Sequence, residues 1–249
     1  MIHHTIEGHI ASITLDDPTR HNALDHGAIA EIMAALDDVD ASDARVLILA
    51  ATGRSFCAGA RLDQLGDGGL TENPFSPLCD RLESFRLPTI AALQGGVFGA
   101  GVELALSCDY RIGVEGMKAA VPASELGIHY TQAGIGRVVA KLGGQIARRV
   151  FLDAERFTDT GLLGAGFLDN LVAPEALDSA VAAKAERLAS LAPLAVQGMK
   201  ASIVAASDGA TPQDFADAQA RIDQCFASAD HQEGVKAKAE KRTPVFSGR

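Results

Sequence analysis

The chain has 249 residues, 47% of them hydrophobic and 22% charged, with 32 acidic against 22 basic side chains and a formal net charge of −10. That composition excludes a disordered, collagenous or disulfide-stapled chain, and the length suffices for one large or two small domains around a real core. The acidic balance argues against a nucleic-acid partner, whose phosphates reward clustered Lys and Arg, and at first sight against any polyanionic ligand.

No stretch reaches about 18 consecutive apolar residues, the length a membrane-spanning helix needs. The polar, His-rich residues 1–9 lack the basic-then-apolar order of a secretory signal. No membrane partner is therefore expected. Cys57, Cys79, Cys108 and Cys225 show neither CxxC pairing nor zinc spacing. They read as reduced thiols of a cytoplasmic protein, with no metal site.

Along the chain, Ala11, Ile13 and Leu15 alternate with Ser12 and Thr14, which predicts a half-buried strand. Glu7-Gly8 before it suggests a turn from an earlier strand, and Asp16-Asp17-Pro18 ends it. Ile29, Ile32, Met33, Leu36 and Val39 then recur at helical spacing. The apolar run 46–51, closed by Thr52-Gly53, predicts a strand covered on both faces, as in a parallel sheet. A second such run, 90–93, follows a helical segment ending before Pro88. A third, 110–114, follows a helix over 102–108. Strand and helix thus alternate from about residue 45 to 172, the order of an α/β layer with right-handed crossovers. After Pro174 four helices are predicted, over 177–191, 194–206, 213–226 and 232–241. The expected organisation is an α/β core over 1–174 and a C-terminal helical region over 175–249 that packs on a neighbouring subunit.

Two glycine-rich loops, 55–63 and 94–104, each follow a buried strand. Ligands of open α/β sheets sit beyond the carboxyl ends of the strands, and small residues there admit backbone N–H groups to the ligand. Nucleotide and nucleophile motifs fail on spacing. A dinucleotide fingerprint from Gly99 meets Leu104 where it needs glycine, no GxxxxGK[ST] run exists, and a nucleophile elbow at Ser55 meets Cys57. Glu103 stands in the first turn of the helix after the second loop, where the helix dipole favours a carboxylate whatever its use. Cys57 has no neighbouring base motif and reads as small-residue packing.

The combination of these stretches resembles the enoyl-CoA hydratase/isomerase (crotonase) superfamily. The resemblance is carried by Asn22-Ala23-Leu24, Phe56-Cys57-Ala58-Gly59-Ala60, residues 88–95, Gly99-Ala100-Gly101-Val102-Glu103-Leu104, Cys108-Asp109, Leu126-Gly127-Ile128 and Glu240-Lys241-Arg242, nearly the whole chain. It implies a crotonase-like spiral of ββα units with a C-terminal helical trimerisation region, forming homotrimers or dimers of trimers. It implies an acyl-CoA thioester substrate, with coenzyme A arriving as part of that substrate and no separate cofactor. The thioester oxygen is expected between the backbone N–H groups of Ala60 and Ala100, the second at a helix N-terminus. Ala23, Ala58, Ala60, Arg61, Leu62 and Asp63 are expected along the coenzyme A, with His129 at the acyl pocket and Lys241 at the phosphates. Arg20, Arg54 and Arg242 are further cations expected near that path.

Hydratases of the family use two glutamates, because water and the α-carbon must both exchange protons. The first matches Glu103. The second falls at Ala123, which moves no proton, and Glu125, two positions on, is expected to point elsewhere. Enoyl-CoA hydration is nevertheless the leading expectation. Tyr130 resembles a tyrosine of methylmalonyl-CoA decarboxylases, which share the order Leu126-Gly127-Ile128-His129-Tyr130 and Gly134-Ile135, although Ala60 replaces their histidine. Decarboxylation is therefore the alternative, with Tyr130 joining Glu103 as a catalytic candidate. An isomerase also manages with one carboxylate, but Thr131 and Gln132 stand where some isomerases carry an acid. An acyl-CoA binder without activity is the alternative of another class. Coenzyme A is itself a polyanion, so the net charge does not exclude it; a few local cations and free N–H groups suffice.

Overall fold

The hairpin at the start follows from the alternating pattern. In the computed structural model, which describes residues 1–61 and 75–249, β1 (Ile2–Glu7) and β2 (Ile10–Leu15) pair antiparallel about Gly8. Ala11, Ile13 and Leu15 are buried, as their spacing requires. Asp25 then caps α1 (His26–Asp40), accepting the Ala28 N–H at 2.9 Å, and Ile29, Ile32, Leu36 and Val39 form its buried stripe.

From here the chain visits two sheets in turn. β3 (Val46–Ala51) enters the first sheet and β4 (Ser55–Cys57) the second, before α2 (Phe75–Glu83). β5 (Thr89–Leu93) and β6 (Gly96–Phe98) repeat the step before α3 (Ala100–Leu106). β7 (Tyr110–Val114) and β8 (Lys118–Ala120) repeat it again before α4 (Gln132–Phe151), which bends at Gly143. β9 (Phe157–Thr158), α5 (Asp159–Gly164) and β10 (Asn170–Val172) complete the layers. The first sheet has the order β1-β2-β3-β5-β7-β10, parallel from β2 onward, and the second the order β4-β6-β8-β9. This is the ββα spiral of the crotonase fold. β5, in the middle of the first sheet, is buried on both faces, which is why its sequence runs apolar without alternation.

The four C-terminal helices are α6 (Leu177–Ala189), α7 (Pro193–Asp208), α8 (Pro212–Ala227) and α9 (Ala229–Glu240). α6 lies on β2, β3, β5 and β7, so the first of these helices is a layer of the core. Its buried stripe, Leu177, Val181, Ala185 and Leu188, faces those strands. α7 is pinned by Lys200, whose Nζ donates to the Leu87 carbonyl at 2.8 Å and to Asp109 at 2.7 Å. The α7–α8 pair exposes Met199, Ile203, Phe215, Ile222 and Phe226. The tail returns over α9, where Asp230 accepts the N–H groups of Ser247 and Gly248. Among the described residues no single helix is long and apolar enough to cross a membrane.

Candidate active site

The two glycine-rich loops lie against each other at the ends of β4 and β6. The first is held by the segment before α1. Leu24 donates its N–H to the Gly59 carbonyl at 2.8 Å and accepts the Arg61 N–H at 3.0 Å, a parallel bridge opposite Ala60. In such a bridge the N–H of the residue between the two bonds points away from its partner. Asn22, buried in the left-handed region at φ 55°, braces the same corner. It accepts the Asp17 N–H and donates to the carbonyls of Thr52 and Ser55, each at 2.8 Å.

The second loop turns at Gly99, with φ 55° and ψ −129°, and Ala100 opens α3. Its N–H is one of the donors that a helix start leaves without an intrahelical partner. Contact between the loops demands glycine. A Cβ on Gly59 would stand 2.8 Å from the Ala100 nitrogen and 2.9 Å from the Phe98 carbonyl oxygen, and one on Gly101 would stand 2.5 Å from the Cys57 oxygen. Among the described residues neither the Ala60 nor the Ala100 N–H has an acceptor.

One turn beyond Ala100 stands Glu103, only 3% exposed. Its Oε1 accepts from Arg137 Nη1 at 2.5 Å. Arg137, on α4, spends its other nitrogens on α2: Nε on Glu83 at 2.9 Å and Nη2 on Asp80 at 2.5 Å. Lys141 faces Glu83 from the far side at 2.9 Å. Tyr130 is the neighbour of Glu103 on the other side, and the two side chains are coupled electrostatically. Gly134 makes room for Glu103 and Tyr130, since a Cβ there would stand 2.7 Å from Glu103 Oε2 and 2.3 Å from the Tyr130 ring. Burial pushes the Glu103 carboxyl above its ordinary value, while the Arg137 charge pulls the other way and Asp80 adds to the rise. Burial also pushes the Tyr130 phenol well up, reinforced by the Glu103 charge, so Tyr130 stays neutral.

The site residues named from the sequence do not all fall in one place. Ala23, Ala58, Ala60, Ala100 and Glu103 lie on the two loops and the segment bracing the first, and Tyr130 stands just before α4. His129 is exposed, with Nδ1 2.8 Å from the Tyr130 carbonyl oxygen, and Arg61 stands 3.7 Å from Asp25. Leu62 and Asp63 lie outside the described residues. Lys241 is the exposed left-handed residue closing α9 at φ 56°. Arg242 is engaged by Glu233 and Glu240, each at 2.6 Å, and Arg20 lies 3.8 Å from Asp17.

Ala123 is buried and carries no proton donor, and Glu125 is exposed and turned to Arg156 at 3.4 Å. Thr131 caps α4 by accepting the Gly134 N–H at 3.1 Å, and Gln132 is exposed. The Cys57 thiol is buried and pushed up to about 12 by that burial, which removes it as a nucleophile. Sequence reasoning missed Arg137. Its signal was a lone cation between the buried Gly134 and Val138 of α4. Among the described residues no group of three or more His, Cys, Asp or Glu side chains is arranged to hold a metal.

The family model for enoyl-CoA hydratase/isomerase matches residues 5–249. The chain is 31% identical over 242 residues to the 2,3-dehydroadipyl-CoA hydratase of Escherichia coli (strain K12), covering 95% of this chain and 94% of that one. It is 28% identical over 247 residues to the methylmalonyl-CoA decarboxylase of the same organism, covering 96% and 95%. Among solved structures, enoyl-CoA hydratase subunit I from Geobacillus kaustophilus HTA426 superposes with a TM-score of 0.90 at 31% identity. That match covers 100% of this chain and 98% of the other.

Proposed function

Because the chain belongs to the enoyl-CoA hydratase/isomerase family, we propose that it adds water to the double bond of a 2-enoyl-CoA thioester, using Glu103 as its one proton-carrying carboxylate. The observation that carries this reading is the pair of unspent N–H groups at Ala60 and Ala100 with a buried glutamate one turn further on.

The thioester oxygen lies between those two N–H groups. A water oxygen bonds to the β-carbon as the ionised Glu103 takes one of its protons, and the π electrons move to the thioester oxygen as an enolate. The two N–H groups stabilise that charge, one donor being worth roughly 2.7–4 kcal/mol in sites of this kind. The enolate then collapses, and the α-carbon takes the proton from Glu103. One molecule of water has been added, and the carboxylate returns to its starting state. A second carboxylate is not required if the same group moves the proton from water to carbon. The burial that raises the Glu103 carboxyl favours its taking up the proton from water that it then returns to carbon.

Decarboxylation is the second reading, favoured by the apolar Ala123, by Glu125 turned to Arg156 and by Tyr130 beside Glu103. There the bond to the departing carboxylate breaks, its electron pair enters the thioester enolate, CO₂ leaves and the α-carbon takes one proton from water, which leaves hydroxide to solvent. The same two N–H groups serve. Ala58, Arg61, Leu62, Asp63 and Ala23 are proposed along the coenzyme A, His129 at the acyl end and Lys241 at the phosphates. The exposed apolar face of α7 and α8 supports self-association as a trimer or a dimer of trimers.

A panel of enoyl-, 3-hydroxyacyl- and malonyl-type thioesters, followed by mass spectrometry, separates the readings. Gain of one water by 2-enoyl thioesters is the expected result. Loss of CO₂ from methylmalonyl-CoA without hydration of crotonyl-CoA selects decarboxylation, and tight binding without turnover of any thioester selects a binding protein.

A further inference from the structure

We propose that Arg137 is the positioning residue of Glu103, holding one carboxylate oxygen so that the other, beside Tyr130, is the one that carries protons. The inference rests on the acid–base role proposed for Glu103 and adds how that group is aimed.

The guanidinium is planar, and each of its three nitrogens meets a different carboxylate. Asp80 and Glu83 on α2 fix its plane, so Nη1 points at Glu103 Oε1 in one orientation only. The Arg137 side chain is only 4% exposed, and each of its nitrogens already meets a carboxylate of the protein. Its work is directed at Glu103. The opposite oxygen, Oε2, lies over Gly134 with the Tyr130 ring, on the side the guanidinium does not cover.

The charges around Glu103 come from three elements. α2 supplies Asp80, Glu83 and the buried Cys79 thiol, whose burial pushes it well up; α4 supplies Arg137 and Lys141; and Tyr130 precedes α4. Three carboxylates therefore face two cations. Glu103 is the most buried of the three, its side chain 4% exposed against 19% for Glu83 and 62% for Asp80. Arg137 opposes protonation there, and Asp80 favours it. The two neighbours thus push Glu103 in opposite directions, which a purely structural pin does not predict.

The sequence provides a reporter, since it has no Trp and only two Tyr. In a Tyr110→Phe background, Tyr130 is the sole tyrosine, and its emission falls when the carboxylate beside it ionises. The midpoint of that titration is expected to rise by about one pH unit or more in Arg137→Gln. It is expected to fall in Asp80→Asn, whose side chain is largely exposed and whose loss leaves the fold in place. Arg137→Lys restores part of the shift, and Glu103→Gln abolishes the titration. The acidic limb of kcat against pH follows the same two directions. A midpoint unmoved in Asp80→Asn and in Arg137→Gln or Arg137→Lys overturns the inference, whatever turnover does. If Arg137→Gln does not fold, the direction in Asp80→Asn decides alone. A midpoint that moves as expected while kcat keeps its pH profile supports the positioning and overturns Glu103 as the reacting group.

Discussion

Glu103→Gln is expected to lower kcat on the preferred thioester by about 10²–10⁴-fold with KM nearly unchanged. The amide fills the same volume and its oxygen still accepts from Arg137, while Asp80 and Glu83 keep the guanidinium in place. What disappears is a group that takes a proton from water and returns it to carbon. The loss therefore falls on a step made in the transition state and spares binding. The pH profile carries the same signature. Glu103 acts first as a base, so the rate rises with pH as its carboxyl ionises. Burial places that limb above the ordinary glutamate value, and Glu103→Gln erases it. Steady-state kinetics over pH check both points, and an unchanged kcat in the variant contradicts them.

Gly59→Ala is expected to reduce kcat by about 10²–10³-fold, the size of one lost oxyanion donor. The new methyl group would stand 2.8 Å from the Ala100 nitrogen and 2.9 Å from the Phe98 oxygen, both backbone atoms with little freedom to yield. It covers the N–H that receives the developing charge and pries the two loops apart. Gly59 also has φ 92°, which an L-residue adopts only with strain, of the order of 1–2 kcal/mol. Gly116→Ala separates strain from blockage. Gly116 has φ 81°, but nothing lies within 4 Å of a Cβ there, between β7 and β8. Both variants are expected to lose stability in urea titrations, and only Gly59→Ala to lose the larger part of its activity. Equal activity losses in the two variants contradict the blocked-donor account.

Much of the fold was legible because its first sheet is made of strands long enough to show a pattern. The alternation of Ala11, Ile13 and Leu15 and the unbroken apolar run of β3 each report which faces are covered. The second sheet left no such trace. β4, β6 and β8 have three residues each and β9 two, too few for a period, and they are embedded in the loops that the glycines announce. The packing of α6 on the first sheet was equally hidden, since its stripe of Leu and Val suits a subunit contact as well as a core layer.

The site divides along the same line. Glu103, Ala60 and Ala100 were legible as candidates because the glycine-rich stretches that carry them resemble those of the family. Arg137 was not, because its three partners lie 34 to 57 residues away and an ion pair across helices has no sequence period. The ion pairs of Arg242 were equally hidden: Glu233 and Glu240 hold it, and Glu233 is kept down to about 2 mainly by that pairing.

The central claim is that a thioester enolate forms between Ala60 and Ala100 with Glu103 as its proton partner. Exchange of the α-hydrogens of a saturated acyl-CoA for deuterium in D₂O tests this without depending on which product the enzyme makes, and mass spectrometry reads it. The wild-type chain is expected to catalyse the exchange, and Glu103→Gln and Gly59→Ala to lose most of it. Exchange that persists undiminished in Glu103→Gln, or that is absent from a wild-type enzyme turning over its substrate, contradicts the account.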